Sequence, residues 1–250
     1  MLKPDLFGIA RWRWERFFNR TLRGSRYELA SVVPAGFKAP VYLRRGTSDV
    51  RNFRQIFIQD AFSFLPLSPR TILDLGGYIG LASLSLAHRY PDARILLVEP
   101  DPDNFLLAQL NCRPYPNITC LRAGVWSKSG HLTIDNRTHG DWGIMMRETA
   151  GTDGSALRIP CHSVGELMDH AGFDGELDFL KIDVEGSEKV LFDDPEAHRW
   201  VDRCKVISCE LHDRMVPGCS ESYRTLMAGR GFMKGKDFER EYYFRTSQHG

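Results

Sequence analysis

The sequence predicts an α/β fold with a mostly parallel sheet. From Arg70 onward, apolar segments of strand length alternate with segments of helical periodicity. Strands that alternate with helices build parallel sheets, because each helix returns the chain to the same edge of the sheet. A glycine-rich turn after the first of these strands is typical of the same fold class. At 250 residues, the chain is long enough to bury a substantial core.

The elements of this alternation follow from their apolar runs and end signals. A strand at 70–75 leads through the glycine-rich turn into a helix at 79–89, and Pro102 suits the first turn of a later helix. In chain order, the other predicted elements are a strand at 94–98, a helix at 102–111, a strand at 118–123, a hairpin-like insertion at 124–135, a helix at 163–172, strands at 177–183 and 206–211, a helix at 220–230, and closing strands at 232–238 and 241–246.

The region before the alternation, residues 1–65, is predicted to be an accessory helical cover, and residues 66–250 form the α/β domain. Residues 1–26 are rich in arginine and aromatic side chains. Their mixed faces favour a helix packed on the domain or on a second subunit over one that lies on a membrane surface. Residues 40–65 have the pattern of a short strand, a turn and a capped helix. The sequence does not decide whether the chain forms a homodimer.

Composition narrows the class of protein. The net charge of +1 gives no argument for a nucleic-acid partner. No apolar run is long enough to span a bilayer or to form the core of a signal peptide, so we expect a cytoplasmic protein without a transmembrane segment. None of the six cysteines belongs to a C-x-x-C pair, which favours free thiols over disulfides or zinc ligands.

The glycine-rich turn indicates which cofactor is bound. It has the pattern D-x-G-G-x-x-G, formed by Asp74, Gly76, Gly77 and Gly80, with Tyr78 between the glycines. Dinucleotide-binding turns have G-x-G-x-x-G instead. An acid two residues before the first glycine repels a pyrophosphate, but it accepts hydrogen bonds from an amino group. S-adenosylmethionine carries an ammonium and a sulfonium and no phosphate, so the turn favours that cofactor.

The next strand ends in a second acid. Glu99 follows Gly80 by nineteen residues, where a carboxylate accepts hydrogen bonds from both hydroxyls of a ribose. Asp101 either joins the cofactor site or only caps the helix that begins at Pro102. The predicted cofactor-binding residues are Asp74, Gly76, Gly77, Tyr78, Gly80, Glu99 and Asp101.

Candidate catalytic residues follow two later strands. Lys181, Asp183 and Glu185 alternate at the end of one strand, and Glu210 and His212 share a face at the end of the next. If these strands are neighbours, the five side chains converge at the edge where such sheets bind ligands. His212 is then the proton acceptor by its ordinary pKa, with Asp183 as the alternative and Glu185 as the orienting group.

Two further features leave alternatives open. A divalent cation held by Asp183, Glu210 and His212 is one alternative to a general base, although no metal site is predicted. In the glycine-rich segment THGDWG, the side chains of His139, Asp141 and Trp142 line a substrate pocket, or else the tryptophan pins a loop to the core.

Taken together, these motifs resemble the FkbM-type methyltransferase family. The resemblance is carried by Val41–Asp49 (VYLRRGTSD), Leu73–Gly80 (LDLGGYIG), Leu97–Asp103 (LVEPDPD), Leu180–Glu188 (LKIDVEGSE) and Glu210–His212. It implies a class I, Rossmann-like fold with a seven-stranded sheet and helices on both faces. It also implies S-adenosylmethionine-dependent O-methylation of a hydroxyl on a small natural product or a carbohydrate. The family commonly has asparagine where this chain has Tyr78. A nicotinamide-dependent reductase and a non-catalytic cofactor-binding module are the alternatives.

Overall fold

A computed structural model describes residues 28–37, 39–136, 145–148, 158–237 and 240–245. The chain divides into two compact units, Met1–Ala61 and Phe62–Gly250. None of the helices in the described ranges has the length and hydrophobicity that a membrane span requires. The basic and aromatic residues 1–26 and the predicted substrate-lining residues His139, Asp141 and Trp142 lie outside the described residues.

The first unit contains a strand pair and a short helix. Its elements are β1 (Leu29–Val32), antiparallel to β2 (Val41–Arg44), then α1 (Asp49–Phe53) and a π-helical turn at Arg54–Ile58. The Asp49 carboxylate accepts hydrogen bonds from the backbone N–H of Arg44 (2.7 Å) and from its guanidinium (3.0 and 2.9 Å), which ties the start of α1 to the end of β2. The sequence predicted the second strand, the turn and the helix but not β1, so the described part of this region is not purely helical. Its role as a cover stays a prediction.

The second unit alternates strands and helices as predicted. Its strands are β3 (Thr71–Leu75), β4 (Arg94–Val98), β5 (Ile118–Leu121), β6 (Gly124–Val125), β7 (Gly130–Asn136), β8 (Met145–Glu148), β9 (Arg158–His162), β10 (Leu177–Ile182), β11 (Cys204–Glu210), β12 (Phe232–Asp237) and β13 (Arg240–Arg245). Its helices are α2 (Leu81–Arg89), α3 (Pro102–Cys112), α4 (Val164–His170), α5 (Glu188–Phe192), α6 (Ala197–Val201) and α7 (Cys219–Met227).

The main sheet confirms the predicted fold class. Within the described ranges it has seven strands in the order β12-β13-β11-β10-β3-β4-β5. The strands from β11 to β5 are parallel, and β13 is antiparallel to both of its neighbours. Leu73, Leu180 and Ile207 lie in the core on one face of this sheet, together with buried side chains from α4 to α7.

The connection from β5 to α4 carries a second sheet. In the described part of the chain this sheet has the order β6-β9-β7-β8. The sequence predicted only a hairpin-like insertion here. The structure adds β8 and β9, and β9 pairs with β6 and β7. The main sheet is not interrupted, because β5 is its edge strand.

Candidate active site

Polar side chains gather where β3, β4, β10 and β11 end. From β3 the chain continues to β4 and β5 on one side and then returns to β10 on the other, so the strand order reverses between β3 and β10. Open α/β sheets bind ligands in the crevice at such a reversal. The sequence-predicted site residues lie at this edge.

The glycine-rich turn after β3 is held by contacts on two sides. The N–H groups of Gly76 and Gly77 donate to the carbonyl of Val98 at the end of β4 (3.0 and 2.9 Å). Gly76 has a φ of +74°, and a Cβ there would lie 1.7 Å from the carbonyl oxygen of Asp183. A Cβ on Gly77 would lie 2.2 Å from the side chain of Leu97. Close packing of the turn against β4 and against the chain just after β10 therefore requires both glycines.

Two further residues of the turn have left-handed backbone. Gly80, at the N-terminus of α2, has a φ of +87°, and Tyr78 has a φ of +50°. Asparagine adopts this conformation more readily than tyrosine. The backbone therefore accounts for the asparagine that is common at this position in the family that the sequence resembles.

Glu99 lies just after β4 and is almost fully buried. Its Oε2 accepts a hydrogen bond from the N–H of Tyr78 (2.8 Å), and its Oε1 accepts one from the N–H of Asp101 (3.0 Å). Burial raises the pKa of Glu99 to about 8, although the two backbone hydrogen bonds lower it. The side chain of Asn104 donates a third hydrogen bond to this carboxyl group, so one of its four lone-pair sites remains for a ribose hydroxyl. That contact stays a prediction.

Asp101 caps α3. Its Oδ1 accepts hydrogen bonds from the N–H groups of Asp103 (3.0 Å) and Asn104 (2.9 Å). This is the capping role that the sequence offered as one of two alternatives. A contact between Asp101 and the cofactor stays a prediction.

Asp74 belongs to a buried ion-pair network. Its side chain is fully buried, accepts a hydrogen bond from the hydroxyl of Ser83 (2.7 Å), and lies 3.0 Å from the ammonium of Lys181. Lys181 also donates to the carbonyl of Gly76 (3.0 Å) and lies 3.6 Å from Asp183 Oδ2. Burial lowers the pKa of Lys181, but the charges of the two aspartates raise it above its ordinary value. Both oxygens of Asp74 thus have partners within the protein, and its predicted contact with the cofactor's amino group is not tested by this geometry.

The ends of β10 and β11 meet because these strands are parallel neighbours. His212 Nε2 lies 3.5 Å from Glu185 Oε2 and 4.0 Å from Asp183 Oδ1. The structure therefore brings together the three predicted catalytic side chains, which we call the Asp–Glu–His cluster. Glu185 has a φ of +49°, and a bulky residue in this conformation is backbone strain of the kind found at functional sites.

Glu188 fixes the imidazole of this cluster, and the sequence analysis did not assign it a role. Its side chain is fully buried, and its Oε1 accepts a hydrogen bond from Nδ1 of His212 (2.7 Å). The same carboxylate accepts hydrogen bonds from the N–H groups of Val184 (3.2 Å) and Gly186 (2.7 Å). One buried group thus sets both the loop after β10 and the ring orientation of His212. The sequence did contain a pointer to this residue, because Glu188 is the last residue of the motif LKIDVEGSE.

Glu210 lies beside the cluster with a partner of its own. Its Oε2 is 3.3 Å from a guanidinium nitrogen of Arg240, a nearly buried residue of β13 that the sequence analysis did not single out. Burial and the charge of Asp183 raise the pKa of Glu210 to about 7. His212 Nε2 lies closer to Glu185 (3.5 Å) than to Asp183 (4.0 Å), whereas Glu188 contacts the other ring nitrogen, Nδ1.

Burial and opposing charges set the ionisation of the cluster. Burial lowers the pKa of His212, but the hydrogen bond to Glu188 and the charges of three nearby carboxylates raise it to about 10. Burial also raises the pKa of Asp183, but the combined charges of Lys181, Arg240 and His212 hold it below its ordinary value. The pKa of Glu185 is raised to about 8 by burial and by the charge of Asp183. The cluster thus pairs a charged His212 imidazole with Asp183, the carboxylate that stays deprotonated and can accept a proton.

Comparison with known families finds methyltransferases. Residues 74–232 match the family described as the Methyltransferase FkbM domain. Release factor glutamine methyltransferase of Escherichia coli (strain K12) is 35% identical over 74 residues, which are 30% of this chain and 27% of that protein. The chain therefore spans only about a quarter of the length of that relative.

Two further comparisons cover more of the chain. Methyltransferase 1 of Beauveria bassiana (strain ARSEF 2860) is 26% identical over 202 residues, covering 72% of this chain and 79% of that protein. Among solved structures, the methyltransferase FkbM of Methylobacillus flagellatus KT has a TM-score of 0.52 and 16% sequence identity, covering 77% of this chain and 47% of that one. At this identity, the structural likeness shows the fold alone.

Proposed function

The chain belongs to the FkbM methyltransferase family, and from that premise we propose that it transfers the methyl group of S-adenosylmethionine to a hydroxyl of a small natural product or a carbohydrate. The observation that carries the choice of a hydroxyl is the Asp–Glu–His cluster beside the glycine-rich turn. An alcohol must lose its proton near the transition state, and the carboxylates of this cluster, at the ligand-binding edge of the sheet, support a role as proton acceptor.

The residues at the strand ends suit the cofactor. When bound, S-adenosylmethionine supplies a methyl group activated by its sulfonium. Glu99 retains one lone-pair site for a hydroxyl of the ribose. Gly76 and Gly77 leave the turn without side chains where β3 and β4 end, and the carboxylates of the cluster favour a cationic ligand. The chemistry of this donor set therefore fits a ligand that carries a ribose and positive charge.

Within the cluster, we propose that Asp183 accepts the hydroxyl proton and that His212 stands beside it as an imidazolium. Both ring nitrogens of His212 face carboxylate oxygens, at 2.7 Å from Glu188 and 3.5 Å from Glu185, and this arrangement holds a proton on each nitrogen. The ordinary pKa of histidine favoured His212 as the proton acceptor and Asp183 as the alternative. In this proposal the two residues exchange roles. Glu185 keeps its predicted role as an orienting group.

The test is a methyl-transfer assay on purified full-length protein, with labelled S-adenosylmethionine and a panel of hydroxylated natural products and sugars. Asp183→Ala and His212→Ala are expected to lower the rate by about 10²–10⁴, while the cofactor affinity measured by calorimetry stays near that of wild type. Glu99→Ala is expected to weaken cofactor binding by about 1–3 kcal/mol through lost hydrogen bonds. The exposed Glu221→Gln is the control.

Two results would reject the proposal. The first is methylation on nitrogen or carbon by the wild-type protein, with no O-methylated product. The second is full activity in both cluster variants, which would make the cluster structural. A chain that binds the cofactor and methylates nothing would favour the non-catalytic binding module.

A further inference from the structure

The Asp–Glu–His cluster has the spacing of a metal site. One ligand-type atom from each of Asp183, Glu185 and His212 lies within 4.8 Å of the other two. Metal ligands lie about 2.0–2.2 Å from the ion, so two of them are at most about 4.4 Å apart. The separations from His212 Nε2, 3.5 and 4.0 Å, meet this limit. The remaining pair, between Asp183 and Glu185, lies within 4.8 Å.

The orientation of His212 gives a second argument. Histidines that bind metals usually donate their other ring N–H to a carboxylate, which fixes the tautomer and directs the free nitrogen at the ion. Here Nδ1 donates to Glu188 at 2.7 Å, and Glu188 is itself fixed by the N–H groups of Val184 and Gly186. The nitrogen that remains, Nε2, faces Glu185 and Asp183.

A third observation concerns Glu185. Its Oε2 is buried and lies 3.5 Å from His212 Nε2, but it accepts no hydrogen bond from any described residue. A buried carboxylate oxygen without a donor is costly. The lysine and the arginine at this edge of the sheet pair with other carboxylates, because Lys181 lies 3.0 Å from Asp74 and Arg240 lies 3.3 Å from Glu210. A cation between Glu185, Asp183 and His212 would satisfy this oxygen.

We propose that Asp183, Glu185 and His212 bind one divalent metal ion through two carboxylate oxygens and one imidazole nitrogen. This mixed oxygen and nitrogen set suits Mn²⁺ and related first-row ions. The ion takes the place of the proton on Nε2, so in the metal-bound protein His212 is a neutral ligand, and Asp183 is a ligand instead of the proton acceptor proposed for the ion-free cluster. The sequence analysis predicted no metal, and its metal alternative used Glu210, which is paired with Arg240 here, in place of Glu185.

The ion would also change the chemistry of the site. With three protein ligands, it keeps open positions, and a hydroxyl bound at one of them has a lowered pKa. This consequence rests on the proposed function, because it requires an alcohol as the methyl acceptor. Metal binding itself does not depend on that function.

The experiment titrates the full chain with Mn²⁺ alone and follows the electron paramagnetic resonance signal of the free ion. Wild-type protein is expected to bind one Mn²⁺ per chain. His212→Ala and Glu185→Gln are each expected to lower the affinity at least about tenfold, and Glu188→Gln by about 10–100-fold through the misdirected imidazole. Asp178→Asn is the matched control, because Asp178 also accepts two backbone N–H bonds but lies at the opposite end of β10.

The inference is overturned if folded wild-type protein shows no saturable binding, or if the three site variants bind Mn²⁺ as wild type does. Circular dichroism identifies any variant that does not fold, and Glu185→Gln then serves in place of His212→Ala. No S-adenosylmethionine or acceptor is present. Mn²⁺ binding without methyl transfer would therefore reject the proposed function alone, and metal-independent O-methylation without Mn²⁺ binding would reject this inference alone.

Discussion

Lys181→Met is expected to lower the free energy of unfolding by about 3–5 kcal/mol, the usual cost of breaking a buried ion pair from one side. Lys181 is 3% exposed and Asp74 is fully buried. Methionine retains most of the apolar stem of lysine, so packing changes little. What changes is that Asp74 loses the ammonium 3.0 Å away, and the carbonyl of Gly76 loses a donor at 3.0 Å.

Urea unfolding at 25 °C measures this loss, and the next strand offers a matched control. Lys205 also pairs with two carboxylates, Asp178 (2.9 Å) and Glu176 (3.3 Å), but its side chain is 39% exposed. Solvent screens such pairs, so Lys205→Met is expected to cost less than about 1 kcal/mol. The contrast between the two lysines isolates the effect of burial.

A second substitution tests the cause. In an Asp74→Asn background, Lys181→Met is expected to cost clearly less, because no uncompensated charge is left in the core. The reasoning is refuted if both lysine variants lose the same stability, or if Asp74→Asn brings no recovery.

Three further outcomes are expected. Gly76 and Gly229 have φ of +74° and +72°, so alanine at either position is expected to lower stability by about 1–2 kcal/mol through backbone strain. Only Gly76→Ala also overlaps the carbonyl of Asp183, which adds about 3 kcal/mol, the upper end for overpacking. Equal melting temperatures for the two variants would contradict this. Asp101→Ala is expected to cost about 1 kcal/mol as a lost helix cap, and Asp101→Asn almost nothing. Calorimetry on both variants shows whether Asp101 also binds the cofactor. Folding raises the pKa of Glu99 from 4.5 to about 8, so its contribution to stability is complete below pH 4.5 and is lost as the pH rises through 8. The stability of wild type relative to Glu99→Gln should thus fall between pH 5 and 8 by at most about 1.4 kcal/mol per pH unit, and urea unfolding that shows a constant difference would refute this.

Strand by strand, the main sheet could be predicted from the sequence because its buried strands are short apolar runs between clear end signals. The strand 94–98 is observed with the predicted bounds, and the strand 177–183 ends one residue earlier. The second sheet could not be predicted, because β9 pairs with strands about thirty residues earlier in the chain, and the short segments carry no signal of their partners.

For the site, the sequence indicated which residues meet but not how they pair. Alternation along β10 and β11 was enough to place Asp183 and His212 together. It did not show that Glu188 holds the imidazole, because that contact depends on the left-handed turn at Glu185 and Gly186. It also did not show that Lys181 neutralises Asp74, because the register between β3 and β10 that aligns them is a tertiary property.

The contact between Gly76 and the carbonyl of Asp183 changes what the glycine motif says about an unknown chain. A motif of this kind is commonly taken as the mark of a bound ligand. In this fold, a backbone oxygen of the protein's own chain fills the space that a Cβ would need. The requirement is internal to the fold, so a descendant that had lost all catalytic activity would still keep Gly76. No such steric contact requires glutamate at position 99 or histidine at position 212. Loss of Glu99 and His212, with Gly76 retained, would therefore identify an inactive descendant.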